Sequence, residues 1–289
     1  MTKPRARLTP QTLLWTQALG LGPLFVRREV LGEQRPQPAP EVIPTPAVFK
    51  PEVFKPEVVK PEVAKPLSPP SRRASPAPPA ASIPATDAAR AEAIARMDWA
   101  GLEAGVQACR ACKLGSSRHQ AVFGSGSRQA HWMIVGEAPG AEEDRQGQPF
   151  VGAAGLLLDA MLQAIGLDRQ SDDPEHAVYI TNVLKCRPPG NRNPEPDEVA
   201  QCAPWLQRQV ALLQPHLILA LGRFAAHSLL GSNAPIGQLR GTVHAFEGIP
   251  VIVSYHPAYL LRNPADKARV WRDLCFARDL AHTKPVQPE

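Results

Sequence analysis

The chain has 289 residues, of which 44% are hydrophobic, with 33 prolines and a formal net charge of +5. It has no apolar run long enough to span a bilayer and no signal-peptide hydrophobic region, so we expect a cytoplasmic protein without membrane segments. Residues 1–99 carry 14 Lys and Arg against 9 Asp and Glu, whereas residues 100–289 carry 18 of each. The excess positive charge therefore lies in residues 1–99. If residues 100–289 bind nucleic acid, they must do so through local clusters of arginine.

The first part of the chain is predicted to lie outside the folded domain. Residues 1–30 are basic with a short apolar segment, which suits either a partly ordered tail or a docking peptide for a protein partner. Residues 31–86 are rich in proline, and Lys-Pro-Glu-Val recurs at 50–53, 55–58 and 60–63. Because a proline in every repeat prevents a helix or a central strand, this segment is predicted to be a disordered linker.

The folded domain is predicted to span residues 87–282, followed by a tail at 283–289. Six segments within it have helical periodicity: 87–97, 99–108, 155–165, 196–213, 223–230 and 266–280. Asp98 precedes the second of these helices and is predicted to cap it.

Four short apolar runs lie between the helices, at residues 131–135, 177–181, 216–221 and 250–254. Continuous apolar strands that alternate with helices are typical of a parallel sheet covered on both faces. We therefore predict an α/β fold, a three-layer α/β/α sandwich with a central four-stranded parallel sheet, preceded by a disordered N-terminal extension.

Four cysteines are placed so that they could converge in such a fold. Cys109 and Cys112 form a C-x2-C pair at the end of a helix, whereas Cys186 follows the second strand and Cys202 lies in the next helix. In a cytosolic protein such a set is more typical of metal binding than of disulfides, although ordinary buried cysteines are the alternative. Four thiolates suit a tetrahedral zinc ion or an iron–sulfur cluster, and the spacing does not choose between them.

Side chains able to bind a ligand follow the carboxyl ends of the predicted strands. The Gly/Pro-rich loop 136–140 follows the first strand, Asn182 the second and His256 the fourth. Phe150 lies in another Gly/Pro-rich loop, where its ring is poorly placed for a core and could face a pocket. Since ligands bind at this edge of α/β sheets, the set suits a flat heterocycle with donors and acceptors, such as a nucleobase.

Two loops beside this edge combine cations with apolar side chains. The residues concerned are Lys185, Arg187 and Arg192 in the first loop, and Tyr259, Leu260 and Arg262 in the second. Cations on such loops can contact phosphates, and an exposed tyrosine or leucine can wedge into a base stack. Solvated loop charges and a hydrophobic staple at a helix start are the plainer alternative.

Several motifs, taken together and in order, resemble one family. They are Gly136-Glu137-Ala138-Pro139-Gly140, Glu143-Asp144, Gly147-x-Pro149-Phe150-Val151-Gly152, Thr181-Asn182-x-x-Lys185-Cys186-Arg187-Pro188-Pro189, His256-Pro257 and the four cysteines. Over residues 98–281 the chain resembles the family 4 uracil-DNA glycosylases, the iron–sulfur branch of that superfamily. Residues 1–97 fall outside the resemblance.

The resemblance implies a cofactor and a base pocket. The four cysteines would hold a structural [4Fe–4S] cluster, and no nucleotide cofactor is expected. Phe150 would stack on the extruded uracil, Asn182 would bond to its edge, and His256 would face its O2 atom and act in catalysis. The remaining pocket residues would be Gly136, Glu137, Ala138 and Glu143, with Glu137 close to the attacking water. The loop after His256 would approach the DNA.

Two positions depart from the best-known branch of the superfamily. That branch has an aspartate that handles the water at the position of Ala138, so we assign Glu137 only as a residue that positions the water. The same branch has a tyrosine that blocks the methyl group of thymine, and Gly140 stands at that position here. Glu143 or the main chain would then have to exclude thymine. A suicide-type relative crosslinks to DNA through a histidine in an inserted loop; residues 187–192 contain none, so turnover is expected.

The resemblance thus implies a monomeric enzyme that hydrolyses the N-glycosidic bond of deoxyuridine in single- or double-stranded DNA. It would release free uracil and leave an abasic site without cutting the strand, as in base excision repair. Two other hypotheses stay open. One is a non-catalytic iron–sulfur module that binds DNA or senses redox state on the same fold, and the other is a nucleotide-binding regulator with a four-cysteine zinc site.

Overall fold

Residues 87–282 are described by a computed structural model of the protein. The predictions for residues 1–30, 31–86 and 283–289 lie outside these described residues. No helix of the described part is both long and apolar enough to cross a membrane.

A mixed sheet of six strands forms the centre of the domain. Its strands, in chain order, are β1 (Ser125–Gly126), β2 (Trp132–Gly136), β3 (Val178–Asn182), β4 (Leu217–Leu221), β5 (Val243–Phe246) and β6 (Ile249–Ser254). Their order in space is β1-β3-β2-β4-β6-β5. The inner four strands are parallel, whereas the edge strands β1 and β5 run antiparallel to their neighbours.

Ten α-helices lie within residues 87–282. They are α1 (Asp87–Ala95), α2 (Trp99–Ala108), α3 (Leu114–Ser117), α4 (Ala141–Gln146), α5 (Ala153–Gln163), α6 (Pro196–Leu213), α7 (Arg223–Leu230), α8 (Ile236–Leu239), α9 (Pro257–Arg262) and α10 (Lys267–His282). Short 3-10 turns occupy Pro189–Asn191 and Pro264–Asp266. Asp98 caps α2, as predicted, by accepting a bond of 2.8 Å from the backbone N–H of Gly101.

The helices form two layers that enclose the sheet. Every residue of β2, β3 and β4 is buried, and successive side chains point to opposite faces of the sheet. Met133 and Val135 of β2 pack in one core with α1, α2 and α6, whereas Trp132 and Ile134 pack in the other core with α5 and α10. This arrangement confirms the predicted three-layer sandwich.

The sheet is two strands wider than predicted. The four parallel strands are confirmed to within one residue at each end, but neither edge strand was predicted. β1 has only two residues, and β5 alternates exposed and half-buried side chains, so neither gives a continuous apolar run. The β5–β6 hairpin turns at Glu247-Gly248, where both residues have positive φ (51° and 81°), as in two-residue hairpin loops.

The connections leave a crevice at the carboxyl ends of β2 and β4. From β2 the chain passes through α5 to β3 on one side, and from β4 it passes through α7 to β5 and β6 on the other. Because the outgoing loops diverge there, this point of an α/β sheet is where ligands bind. The topology therefore locates the candidate site before any side chain is considered.

Candidate active site

A cleft of ≈ 810 Å³ opens at this crevice. Ligand-binding clefts usually measure about 300–1,000 Å³, so the space suits a small organic ligand. Among its lining residues are Glu137, Ala138, Glu143, Phe150, Asn182, Arg192, His256, Tyr259 and Arg262, all of them predicted site residues. The structure thus brings together the loops that follow β2, β3 and β6, as the sequence predicted.

Phe150 forms one wall of the cleft. Its ring stacks on that of His256, with the ring centroids 5.4 Å apart and the planes inclined by 25°. The residue has a φ of 53°, which is uncommon for a bulky side chain. Gly155 permits this turn, since a Cβ there would lie 1.9 Å from the Phe150 carbonyl oxygen. Only 5% of Phe150 is exposed, so its ring belongs both to the core and to the surface of the cleft.

Asn182 lies at the base of the cleft and is buried. It pairs with Gly136 across β2 and β3, and a Cβ on Gly136 would lie 2.3 Å from Asn182 Oδ1 and 2.6 Å from Phe150 Cζ. Only glycine therefore leaves room for the amide and the ring side by side. Asn182 Oδ1 is buried and has no hydrogen-bond partner in the described structure. Because such an orphaned group costs about 1–3 kcal/mol, this oxygen is suited to accept a hydrogen bond from a ligand.

His256 is held as a neutral imidazole. It caps the start of α9, where its Nδ1 accepts a bond of 3.1 Å from the backbone N–H of Ala258. Burial, with a smaller contribution from Arg262, lowers the pKa of His256 to about 4, and Glu143 opposes the shift. A neutral imidazole whose Nδ1 is an acceptor carries its proton on Nε2. His256 can therefore donate a hydrogen bond from Nε2 without carrying a charge.

Glu137 is the half-buried carboxylic acid of the cleft. Burial raises its pKa above the ordinary value of 4.5, and the positive charge of Arg223 opposes that rise. Arg223 is the first residue of α7, lines the cleft, and lies over the Phe224 ring at 4.5 Å from the ring centroid. Gly222 and Arg223 follow the third predicted strand, so the sequence places them at this rim of the sheet, but it gives Arg223 no specific role. Ala138 also lines the cleft and contributes only a methyl group.

Glu143 ties two loops of the cleft together. Its Oε2 accepts a bond of 3.1 Å from the N–H of Gly140, and its Oε1 accepts bonds of 2.9 and 3.0 Å from the N–H groups of Val151 and Gly152. A Cβ on Gly140 would lie 2.6 Å from Glu143 Oε2, so the carboxylate fills the space next to that glycine. Glu143 is thus a wall of the cleft with both carboxylate oxygens already engaged by main-chain donors.

The three arginines predicted to bind DNA differ in their surroundings. Arg262 is exposed and lines the cleft. Arg187 is half-buried outside the cleft lining, and its Nε donates to Asn191 Oδ1 at 2.7 Å. Arg192 lines the cleft, but its two terminal nitrogens donate to the buried carboxylate of Glu198 at 2.9 and 2.5 Å. Arg192 is therefore engaged in an ion pair that holds its loop on α6.

The prediction of Leu260 as an exposed wedge is wrong. Leu260 is 1% exposed and packs in the core beneath α5 and α10, because the first turn of α9 faces inward at this position. The next residue, Leu261, is 47% exposed. Tyr259 stacks on Tyr255 with centroids 4.9 Å apart, and its hydroxyl donates to Asp266 Oδ2 at 2.6 Å. Tyr259 thus lines the cleft but is fixed by its neighbours.

Lys185 is not a surface cation, contrary to the interpretation of its loop as basic. It is 1% exposed, and burial lowers its pKa to about 7, with Cys202 and Cys186 opposing the shift. Of the three cations in the loop 185–192, Arg187 and Arg192 are therefore half-buried and Lys185 is buried.

A second, small cavity is lined by all four predicted ligand cysteines, Cys109, Cys112, Cys186 and Cys202. Cys186 and Cys202 are buried, which raises the pKa of both thiols, that of Cys202 to about 12. Among residues 87–282, no group of three or more His, Cys, Asp or Glu side chains is placed so as to hold a metal ion. The structure therefore brings the four cysteines to one cavity without arranging them as a finished single-ion site.

The surroundings of this cavity fit a sulfur-rich cofactor. Arg118 Nη1 donates to Cys186 Sγ at 2.8 Å, and Arg90 Nη2 donates to Cys109 Sγ at 3.7 Å. Trp205 lines the cavity, and its buried indole N–H has no partner among the described residues. Cationic and N–H donors around sulfur are the surroundings that anionic thiolate–sulfide clusters require.

Comparison with known proteins identifies the class to which this site belongs. The family model described as Uracil DNA glycosylase superfamily matches residues 123–275, which are more than half of the chain. The matched region contains the cleft loops, Cys186 and Cys202. The chain belongs to the uracil-DNA glycosylase superfamily.

Individual relatives identify the branch. A type-4 uracil-DNA glycosylase of Archaeoglobus fulgidus is 44% identical over 167 residues, which are 55% of this chain and 81% of the relative. Those of Sulfurisphaera tokodaii and Saccharolobus solfataricus are 43% and 40% identical over 187 and 190 residues, covering 82% and 85% of the relatives. The family predicted from the motifs is thereby confirmed as type 4.

We predict that Gly155→Ala lowers both the stability of the fold and the activity. The added methyl group would meet the Phe150 carbonyl oxygen at 1.9 Å, so the chain must shift and move the Phe150 ring. We expect the free energy of unfolding to fall by about 1–3 kcal/mol in denaturant titrations, as for other overpacking changes. Gly237→Ala is the control, since nothing lies within 4 Å of its Cβ position. Equal stability of the two variants would contradict the role of Gly155.

Proposed function

We propose that this protein is a monofunctional glycosylase that hydrolyses the N-glycosidic bond of deoxyuridine in single- or double-stranded DNA, releasing uracil and leaving an abasic site. Membership of the type-4 branch supports the removal of uracil from DNA. The observation that carries the proposal is the buried Oδ1 of Asn182, which lacks a partner in the described structure and lies beside the Phe150 ring.

Asn182 would read the edge of the base. Uracil presents an N3–H donor and an O4 acceptor, which complement the oxygen and nitrogen of the amide, whereas cytosine presents the opposite pattern. A mismatch would leave buried polar groups unpaired, at about 1–3 kcal/mol each. A base reaches this depth only after leaving the stack, which costs a few kcal/mol and is cheapest for mispaired or single-stranded uracil.

His256 would accelerate bond cleavage. Uracil departs as an anion, so negative charge develops on its O2 while the sugar becomes oxocarbenium-like. A preorganised donor aimed at that charge lowers the barrier, by the argument used for oxyanion holes. His256 offers Nε2–H in a stacked, immobile ring whose Nδ1 is already engaged. Its low pKa makes it a neutral donor before the bond breaks.

Glu137 would position the attacking water and stabilise the cationic sugar. It lines the cleft where Ala138 offers no polar group. Burial raises its pKa, which makes the carboxylate a stronger base, while Arg223 favours the ionised form that this role requires.

Glu143 would exclude thymine. Its carboxylate occupies the space next to Gly140 and is fixed by three main-chain N–H groups, so it cannot move aside at low cost. A methyl group at C5 of a stacked pyrimidine would then meet a rigid, charged wall. This assigns to Glu143 the steric function that the sequence left open.

The DNA backbone would lie across the cleft mouth. Arg262 and Arg223 are exposed there, and Arg187 lies on the adjoining loop, so these cations can contact phosphates. Exposed Leu261, in place of Leu260, is the apolar side chain of α9 that could enter the base stack. A monomeric state and a protein partner for residues 1–30 stay predictions.

The four-cysteine cavity would hold a structural [4Fe–4S] cluster. The type-4 relatives, the shared cavity of the four cysteines, and the N–H donors of Arg118, Arg90 and Trp205 support this assignment. The cluster would crosslink α2, α6 and the loop after β3, and it would supply no chemistry to base removal.

We predict that Asn182→Ala lowers uracil excision at least about 100-fold while the fold is kept, because base recognition and orientation are lost together. The excision rate is measured as single-turnover release of uracil from a labelled oligonucleotide, and circular dichroism checks the fold. Asn233→Ala, at an exposed position of the α7–α8 connection, is the control. Near-normal excision by Asn182→Ala would contradict the proposed function.

The pH dependence of the excision rate should reflect the protonation of Glu137 and not that of His256. Because the pKa of His256 is about 4, we expect no histidine titration in the rate between about pH 6 and pH 8. The rate should fall on the acid side as Glu137 protonates, at a pKa above 4.5. In Glu137→Gln this acid limb should shift to lower pH. An unchanged limb in that variant would rule out the role given to Glu137.

Protein prepared without oxygen is expected to be brown, and Cys186→Ser to lose both the colour and a large part of its thermal stability. Visible absorption, iron and zinc analysis and thermal unfolding measure these effects. Cys275→Ser serves as the control, because Cys275 lies in α10 and does not line the cavity. A colourless protein that contains zinc would contradict the iron–sulfur cluster and support the four-cysteine zinc site instead.

A further inference from the structure

Lys185 connects the two sites described above. It lies three residues after Asn182 and directly before Cys186, and its side chain is 1% exposed. Neither base removal nor cluster ligation assigns it a task. A fully buried lysine is uncommon unless its nitrogen is paired, so its contacts indicate what it does.

Three hydrogen-bond acceptors surround the side-chain nitrogen of Lys185, as many as an ammonium group can serve. Its Nζ donates to Thr181 Oγ1 at 2.6 Å, to the main-chain oxygen of Asn182 at 2.7 Å and to Gln209 Oε1 at 2.6 Å. Two of these acceptors belong to the last residues of β3. The lysine therefore folds back on the strand from which its loop departs and fixes the end of that strand.

The third acceptor anchors this network in α6. Gln209 is fully buried, and its Nε2 donates to the Phe123 carbonyl at 2.9 Å and to the Tyr179 hydroxyl at 3.0 Å. Thr181 Oγ1 also donates to the Phe123 carbonyl at 2.9 Å. The nitrogen of Lys185 is thus held by groups from β3 and α6, and Thr181 and Gln209 are both tied in turn to the Phe123 carbonyl.

The main chain of Lys185 lies next to the four-cysteine cavity and is held there by hydrogen bonds. A main-chain hydrogen bond from Lys185 opposes the rise that burial causes in the pKa of the Cys202 thiol, and the Lys185 carbonyl accepts a bond of 2.8 Å from the N–H of Val122. Lys185 is itself a lining residue of the four-cysteine cavity. One residue therefore holds the cysteine cavity through its main chain and the base pocket through its side chain.

We propose that Lys185 is a positioning residue that fixes Asn182 for base recognition and couples its placement to the four-cysteine centre. The inference rests on the proposed role of Asn182. Asn182 Oδ1 makes no bond of its own in the described structure, so its direction depends on the main chain at residue 182. Of the bonds there, the one from Lys185 engages the Asn182 carbonyl directly. A displacement of about 1 Å at a reacting site costs on the order of 100-fold in rate, so a small shift would matter.

The test is a double-mutant cycle of Lys185→Met and Asn182→Ala. Methionine keeps an unbranched side chain of similar length but removes all three N–H donors. We expect Lys185→Met to lower single-turnover excision about 10–100-fold in the natural background. In the Asn182→Ala background the same change should lower excision no more than about threefold, because the interaction that it supports is already absent.

Two further measurements separate positioning from general damage. Inhibition by free uracil should weaken in Lys185→Met, whereas affinity for uracil-free DNA and the visible absorption should stay unchanged. Lys113→Met is the matched control: Lys113 directly follows Cys112 as Lys185 precedes Cys186, but it is exposed and pairs with Glu195. We expect Lys113→Met to retain normal excision and normal inhibition by uracil.

Equal losses from Lys185→Met in both backgrounds, or unchanged excision, would overturn the inference. Loss of the visible absorption together with activity would also overturn it, because the effect would then act through the cofactor alone. If Lys185→Met does not fold, Lys185→Gln, which keeps two N–H donors, takes its place in the double-mutant cycle, and the same outcomes support or overturn the inference. Normal excision by Asn182→Ala alone would instead overturn the proposed function, so the two failures are distinguishable.

Discussion

The base pocket depends on a missing side chain at the end of β2. Register in the parallel sheet sets Gly136 opposite Asn182, and the following loop returns the Phe150 ring to the same place. A single carbon atom at residue 136 would lie within 2.6 Å of both groups. The Asn182 amide, proposed to select the base, and the Phe150 ring, proposed to support it, can therefore adjoin only because this residue is glycine.

The other parts of the cleft keep that arrangement rigid. Glu143 binds the loop after β2 to the loop that carries Phe150, and Gly155 gives the Phe150 main chain the space for its positive φ. His256 stacks on the Phe150 ring, and its Nδ1 caps a helix. Each group is fixed by contacts that a ligand does not supply, so the site is preorganised for a developing charge.

The loop after β3 gives the molecule a second organising feature. Residues 181–186, which are the last two residues of β3 and the first four of the loop, supply the amide proposed to read the base, the buried lysine and a cysteine of the second cavity. The two sites are thus separated by only a few residues, and a cofactor in the cavity would restrain the same segment that orients Asn182. Under the proposed roles, this proximity would connect a structural cofactor mechanically to base recognition.

The parallel strands, the longer helices and the gathering of the cleft motifs at one edge of the sheet could be predicted from the sequence alone. This was possible because strands buried on both faces leave continuous apolar runs and because caps and helical periods are local signals. Three features became clear only from the folded structure: Leu261 and not Leu260 is exposed, Lys185 is buried, and Glu143 accepts hydrogen bonds from main-chain N–H groups. Those outcomes depend on how segments far apart in the chain pack against one another, and such contacts leave no local pattern in the sequence.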